Sequence, residues 1–271
     1  MASTAEPARS RLPERFARPS ALAFLVYALA VAVVVWAANG AEWSFSELAK
    51  GLPALGDFLA RAWPPSFERF GSLSRALIET LQMAVIGTLI GVVLSVPLAV
   101  LAARGLTGLD WLRWPARALV ALFRTVPDLV WALIFVIAVG LGPFAGTLAL
   151  AVDTAGFCGR FFAEAMEDVD RGPSDSLRAQ GVRRFDTVFC ATIPAALPAF
   201  VTTGLFALEK ATRSSVILGL VGAGGIGLEL KVAMDLFDYR RAATIILMIF
   251  VLVVAVEQIG AMVRARIIKD R

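Results

Sequence analysis

The chain has 271 residues, of which 58% are hydrophobic and 18% charged. Soluble domains run at roughly 45–50% and about 25%, so a water-soluble globule is excluded, and at about 20 apolar residues per crossing there is room for several membrane spans. The net charge of +4 rests on 26 basic residues, 22 of them Arg, which flank apolar runs instead of forming a patch, so nucleic acid is not an expected partner. With no His, imidazole catalysis and His-containing zinc sites are ruled out. Cys158 and Cys190 are too few for a metal cluster or a disulfide framework; they read as reduced packing residues, and no metal site is expected.

An arm with Arg9, Arg11, Arg15 and Arg18 precedes an uncharged stretch at residues 19–41. That stretch reads either as a signal peptide or as a first span. Its apolar part exceeds the roughly 7–15 residues of a signal core, which favours a retained span. Residues 42–75 alternate charges with Trp43, Phe45, Leu48, Leu52, Leu55, Phe58, Leu59 and Trp63, and carry Pro53 and Pro64-Pro65. They predict short interfacial helices broken at those prolines. Residues 80–103 form the next uncharged run, closed by Arg104-Gly105. Residues 118–164 have room for two spans, with Gly140-Leu141-Gly142-Pro143 as the turn signal. Residues 193–218 and 242–263 complete the series.

The count is five or six, and the positive-inside rule selects six. Six spans place the arm, the 104–117 loop, the 160–184 segment and the tail with Arg264, Arg266, Lys269 and Arg271 on one face. Both termini are then cytoplasmic. Lys231, Arg240 and Arg241 fall on the opposite side, offset by Glu229, Asp235 and Asp238. The expected architecture is an all-α, polytopic membrane protein of about six transmembrane helices. Residues 1–75 form the arm, first helix and outer interfacial segment, and residues 76–271 a five-helix core.

The longest cytoplasmic loop runs over residues 167–189. Ser174 can cap a helix there, Asp175 suits its positive end, and Gly181 can take the left-handed conformation that stops it. The prediction is about two turns, roughly 10 Å, followed by re-entry at Ile193-Pro194 and Leu197-Pro198. An ordinary polar loop is the alternative on these residues alone. Asp175-Ser176-Leu177, Gly181 and Ile193-Pro194 resemble the Glu-Ala-Ala loop of binding-protein-dependent ABC importer permeases, with Asp175 in place of Glu and Ser176-Leu177 in place of the two Ala.

Further blocks are similar to the phosphonate-type permeases of that superfamily. They are Arg124-Thr125-Val126-Pro127-Asp128-Leu129, Gly142-Pro143-Phe144-Ala145-Gly146, Glu164-Ala165-Met166-Glu167, and the stretch from Leu208-Glu209 through Arg213-Ser214 to Gly219-Leu220-Val221-Gly222-Ala223-Gly224-Gly225-Ile226-Gly227. The resemblance implies a type I (MetI-like) permease core in a bacterial inner membrane. It implies a coupling helix near residues 173–190, with Ser174, Asp175, Ser176, Leu177, Arg178, Gly181 and Arg184 lying against an ATPase subunit. The implied assembly has a second permease copy, making a homodimer, with two ATPases and one extracytoplasmic solute-binding protein. No cofactor is expected in this chain, which lacks G-x-x-x-x-G-K-[ST]; ATP and Mg belong to the partner ATPase. The implied activity is import of a small phosphorus oxyanion such as phosphonate or phosphite.

Ionisable groups inside a bilayer are costly and face a pathway or a partner. Asp128, Asp153, Glu209, Lys210 and Arg213 are the deep candidates, and Glu79, Arg124, Glu164 and Glu257 sit near span ends. Glu209 and Arg213 are one helical turn apart, so they read either as a self-satisfying pair or as pathway residues, Arg213 offering bidentate hydrogen bonds to an oxyanion. Gly222, Gly224, Gly225 and Gly227 fit a dinucleotide fingerprint, but that motif needs a preceding strand, and a membrane helix is predicted there. These glycines instead break the helix at the outer face, as part of a gate in the resembling family or as a flexible turn. Arg124, Asp128, Asp153, Glu209, Arg213 and the four glycines are the candidate pathway or gate residues. Two rival functions remain at this point: a stand-alone proton-coupled carrier using Asp128 and Asp153, and a lipid-modifying enzyme using Glu164, Glu167, Asp168 and Asp170.

Overall fold

A computed structural model describes residues 20–108 and 110–269. The arm with Arg9, Arg11, Arg15 and Arg18 lies outside the described residues, as does Arg271. The described elements are all helical: α1 (Ala21–Gly40), α2 (Phe45–Ala62), α3 (Phe70–Ala102), α4 (Asp110–Thr125), α5 (Asp128–Val139), α6 (Pro143–Asp168), α7 (Gly172–Ala179), α8 (Arg184–Thr187), a π-helical turn (Val188–Thr192) running into α9 (Ile193–Gly219), α10 (Ile226–Asp235) and α11 (Tyr239–Lys269). Contacts divide the chain into two units, residues 1–57 and 58–271.

In the first unit α1 starts where the Ser20 hydroxyl accepts from the Ala23 amide at 3.2 Å. It has 20 residues, none buried, and at 1.5 Å per residue it is about as long as the hydrocarbon layer is thick. Helix α2 continues through Pro53, where the sequence predicts a break. Proline already has helical φ, and the Ala49 carbonyl that loses its partner is exposed. The chain leaves the helix only before Pro64-Pro65.

Helix α6 is the axis of the second unit and packs against α3, α4, α5 and α9. Small residues allow the closest approach: a Cβ on Gly91 of α3 would lie 2.5 Å from the Thr154 Cβ and 2.7 Å from the Ala151 carbonyl oxygen of α6. Seams of this kind let membrane helices associate where lipid supplies no hydrophobic driving force. One apolar cluster stacks Phe162 on Phe200, with ring centroids 4.1 Å apart, and joins the α7-proximal parts of α3, α6 and α9. A second, around Leu150 and Leu218, brings in Ala132 of α5. The third ties Leu73 of α3 to Ile226 of α10 and Ile245 of α11. Cys158 is buried in the first cluster, whereas Cys190 is exposed.

By length and composition α1, α3, the α8–α9 run and α11 can each cross a membrane. Helices α4 and α5 qualify together as one broken span, bent by 92°. Four helices, or five spans with the bent pair, are thus apolar enough to cross where six are predicted; α6, whose 26 residues are about 39 Å long, is not among them. It carries Asp153 and Arg160, and its neighbours α3, α4, α5 and α9 pack around it. The predicted turn after Val139 is present, with Gly140 at φ +93° and Gly142 at φ +137°. The correction is a second break at Val126-Pro127, where proline disfavours helix in the residue before it. Of the basic residues predicted opposite the other basic segments, Arg241 is ion-paired with Glu229, and Arg240 donates to the Pro64 carbonyl at 2.8 Å.

Candidate functional site

The deep charges are paired across helices. Lys210 of α9 donates from Nζ to both carboxylate oxygens of Asp153 on α6, at 2.9 and 2.8 Å, and its ammonium stands 5.3 Å from the centre of the Phe157 ring. One residue earlier, Glu209 turns to the other side of α9. It meets Arg213 at 3.3 Å and Arg264 of α11 at 3.7 Å. The intrahelical pair read from spacing therefore exists, and it also bridges two helices. The Arg213 side chain stays half exposed. Asp128 occupies the first turn of α5, where its Oδ1 accepts from the Leu129 amide at 2.9 Å. Arg124 stands apart from this network, in the last turn of α4. Sequence reasoning missed Lys210 as the partner of Asp153 and Arg264 as the second partner of Glu209. No spacing rule reaches across 57 residues.

The glycine run is a built turn. Gly222, Gly224 and Gly225 have φ of +92°, +84° and +73°, a region that costs other residues about 1–2 kcal/mol. The Gly225 amide donates to Glu79 Oε1 and the Ile226 amide to Thr80 Oγ1, each at 2.8 Å. These two α3 residues satisfy the first amides of α10, and the Gly142 amide adds a 3.0 Å bond to the Gly222 carbonyl. The amides that a dinucleotide phosphate would need are thus occupied by the protein. Gly219 and Gly227 serve a different need. They face each other where α9 ends and α10 begins, and a Cβ on Gly219 would lie 2.7 Å from the Gly227 Cα.

At the opposite end α7 spans eight residues, about 12 Å. Ser174 is not its cap. Arg171 holds that position, and Asp170 Oδ1 accepts from the Gly172 amide at 3.0 Å, so the helix starts three residues earlier than predicted. Ser174 is buried, with its hydroxyl 3.4 Å from that of Thr192. Asp175 lies 4.0 Å from Arg178, which also donates to the Gly105 carbonyl at 3.4 Å. Ser176 bonds back to the Gly172 carbonyl at 2.9 Å, and the Leu177 carbonyl accepts from Val182 at 3.1 Å. Gly181 has φ +84°. Arg184 opens α8 with its guanidinium against Gly108. Beside α7, Glu167 Oε1 accepts from Arg117 at 2.9 Å and from the Arg104 amide at 2.8 Å, while Arg117 also donates to the Ala102 carbonyl at 2.8 Å. One carboxylate thus ties together the α7-side ends of α3, α4 and α6.

The comparisons with known proteins place this helical fold in a family. The family described as "binding-protein-dependent transport system inner membrane component" matches residues 95–269. The chain belongs to that family. It is similar to the phosphate-import permease PhnE of Mycolicibacterium smegmatis, 37% identical over 97% of this chain and 49% of the relative, so it spans about half the length of that protein. It is also similar to two Stutzerimonas stutzeri proteins. The phosphite transport permease PtxC is 38% identical over 81% of this chain and 80% of the relative, and the putative phosphite transport permease HtxC 36% identical over 91% and 86%. An inward-facing structure of the MetNI methionine ABC transporter superposes on 74% of the permease and 99% of that chain, with a TM-score of 0.65 at 23% identity. The permease fold is therefore that of ABC importer membrane subunits. Membership among transport components removes the lipid-modifying enzyme reading.

Proposed function

We propose that this permease forms the translocation pathway of an ATP-driven importer for a small phosphorus oxyanion. The observation that carries the reading is the similarity, at 36–38% identity over 81–97% of the chain, to three permeases named for phosphate or phosphite transport. The chain has no ATP-binding phosphate loop, so hydrolysis falls to a separate ATPase, with ATP and Mg bound there. Two permease copies, two ATPases and one solute-binding protein make up the assembly, with both permease termini and α7 in the cytoplasm. When the ATPases close on ATP, α7 transmits their motion to α6 and α9. The bound anion then enters between the permease copies and leaves on the other side after hydrolysis. Such a switch works only if nucleotide and anion each bind one state better than the other. The proton-carrier alternative loses support, because both Asp153 oxygens are engaged by Lys210 and Asp128 serves a helix end.

The test is gentle purification of the tagged permease with whatever accompanies it, then reconstitution and uptake of labelled phosphate, phosphite and methylphosphonate. A stoichiometric ATPase and strictly ATP-dependent uptake are expected. Uptake by the permease alone overturns the reading. Arg213→Ala is expected to lower uptake about tenfold, equivalent to roughly 1.4 kcal/mol, with ATPase assembly intact; unchanged uptake takes Arg213 out of the pathway. Gly181→Val tests the coupling role of α7. Nothing lies within 4 Å of a Cβ there, so the substitution acts only through backbone strain at positive φ. ATP turnover should persist while anions moved per ATP fall about tenfold. An unchanged ratio places coupling elsewhere.

A further inference from the structure

A cavity of about 330 Å³ lies between α4 and α6, lined by Arg117, Arg124, Arg160 and Glu164 together with small apolar residues. Three arginines line it. Arg160 is paired with Glu164 at 2.7 Å and Arg117 with Glu167 at 2.9 Å, but Arg124 has no carboxylate partner among the described residues. Its depth makes this costly. A Cβ on Gly156 would lie 3.1 Å from the Arg124 Cγ, so Arg124 is level with Gly156, about 20 Å along α6 from Pro143. In a hydrocarbon layer of about 30 Å, an arginine at that level needs a counter-charge or a wet cavity facing it.

We infer that this cavity is a binding site for a protonated phosphorus oxyanion, with Arg124 as its main cation, and the inference rests on the transport reading above. The guanidinium supplies paired, charge-assisted hydrogen bonds to two oxygens of such an ion. The volume holds a tetrahedral oxyanion with several waters, each needing about 30 Å³. Glu164 sets the selectivity. A carboxylate repels a fully deprotonated anion but accepts a hydrogen bond from a P–OH group. Hydrogen phosphate, hydrogen phosphite and hydrogen phosphonates offer that group near neutral pH. Sulfate and the phosphodiester of a membrane lipid do not. The site lies on the α7 side of the Asp153–Lys210 pair, toward the end from which the anion leaves.

The permease–ATPase complex, reconstituted without nucleotide and without the solute-binding protein in phosphatidylcholine nanodiscs, is tested for saturable binding of labelled inorganic phosphate. Arg124→Gln is expected to weaken binding at least about tenfold and Arg124→Lys to restore part of it, with gel-filtration profiles unchanged. Phosphite should compete about tenfold better than sulfate, and Glu164→Gln should narrow that gap. Wild-type affinity in Arg124→Gln, or sulfate competing as well as phosphite, overturns the site. Replacing one third of the lipid by phosphatidylglycerol should leave phosphate binding unchanged; its displacement by the lipid assigns the cavity to a lipid headgroup and overturns the assignment to a transported ion. ATP-driven uptake by the same wild-type complex in sealed liposomes, with the solute-binding protein added, separates the two claims. Absent uptake with Arg124-dependent binding sinks the transport reading, and normal uptake with Arg124-independent phosphate binding sinks the site alone.

Discussion

Gly227→Ala is expected to destabilise the permease by about 3 kcal/mol, the upper end of what overpacking costs, and to lower its melting temperature by about 6–12 °C. A Cβ at this position would overlap the Val216 carbonyl oxygen and lie 2.9 Å from the Gly219 Cα. Both obstacles are backbone, so no side chain can rotate away, and relief requires α10 to move off the end of α9. That movement pulls the Gly225 and Ile226 amides from Glu79 and Thr80, which leaves two helix-end donors unmet. Gly204→Ala is the matched control. Its nearest neighbour would be the Val92 Cγ2 at 3.7 Å, an ordinary contact, and within a helix the change should be neutral or stabilising by about 0.5–1 kcal/mol. Thermal melting of the two detergent-solubilised variants measures the difference, and equal midpoints refute the packing argument.

The same turn shows where sequence reading succeeds and where it stops. Four glycines in six residues announce a backbone that no ordinary helix adopts, and that much is local. What holds the turn is not local, because Glu79 and Thr80 lie 146 residues away. The two prolines make the point for helices. Pro53 and Pro127 carry the same signal, yet α2 passes one and the chain bends by 92° at the other. The difference is tertiary. Both arms of the bend at Pro127 are packed, Phe123 against Gly156 and Trp131 against Phe123 with centroids 6.0 Å apart, whereas Ala62 is the only buried residue of α2. Span positions were legible because a charge-free run of bilayer length is itself the physical requirement. The six-span expectation exceeds the four or five apolar spans present, because the α6 stretch is more polar than the others and is sheltered by its neighbours. In the candidate site the Glu209–Arg213 pair was legible from helical spacing, and the start of α7 was missed because Asp170, not Ser174, meets its first amide.

The Asp153–Lys210 pair carries the second large effect. Asp153→Asn removes the carboxylate from a lysine that keeps about a third of its side-chain exposure, and should cost about 3 kcal/mol, the lower end for breaking a buried pair. Lys210→Met should cost more, because the Asp153 carboxylate is 12% exposed and keeps its charge without a donor. Replacing both, Asp153→Asn with Lys210→Met, should recover most of the stability, since no unpaired charge remains. Melting midpoints of the four proteins close a double-mutant cycle, and additive losses would show that the two groups do not depend on each other. The double variant also separates holding from carrying. If the pair only fastens α9 to α6, its uptake returns with its stability. A folded double variant that assembles with the ATPase but imports no anion would show that the Lys210 charge is used during transport, so that the anion must displace Asp153 as it passes.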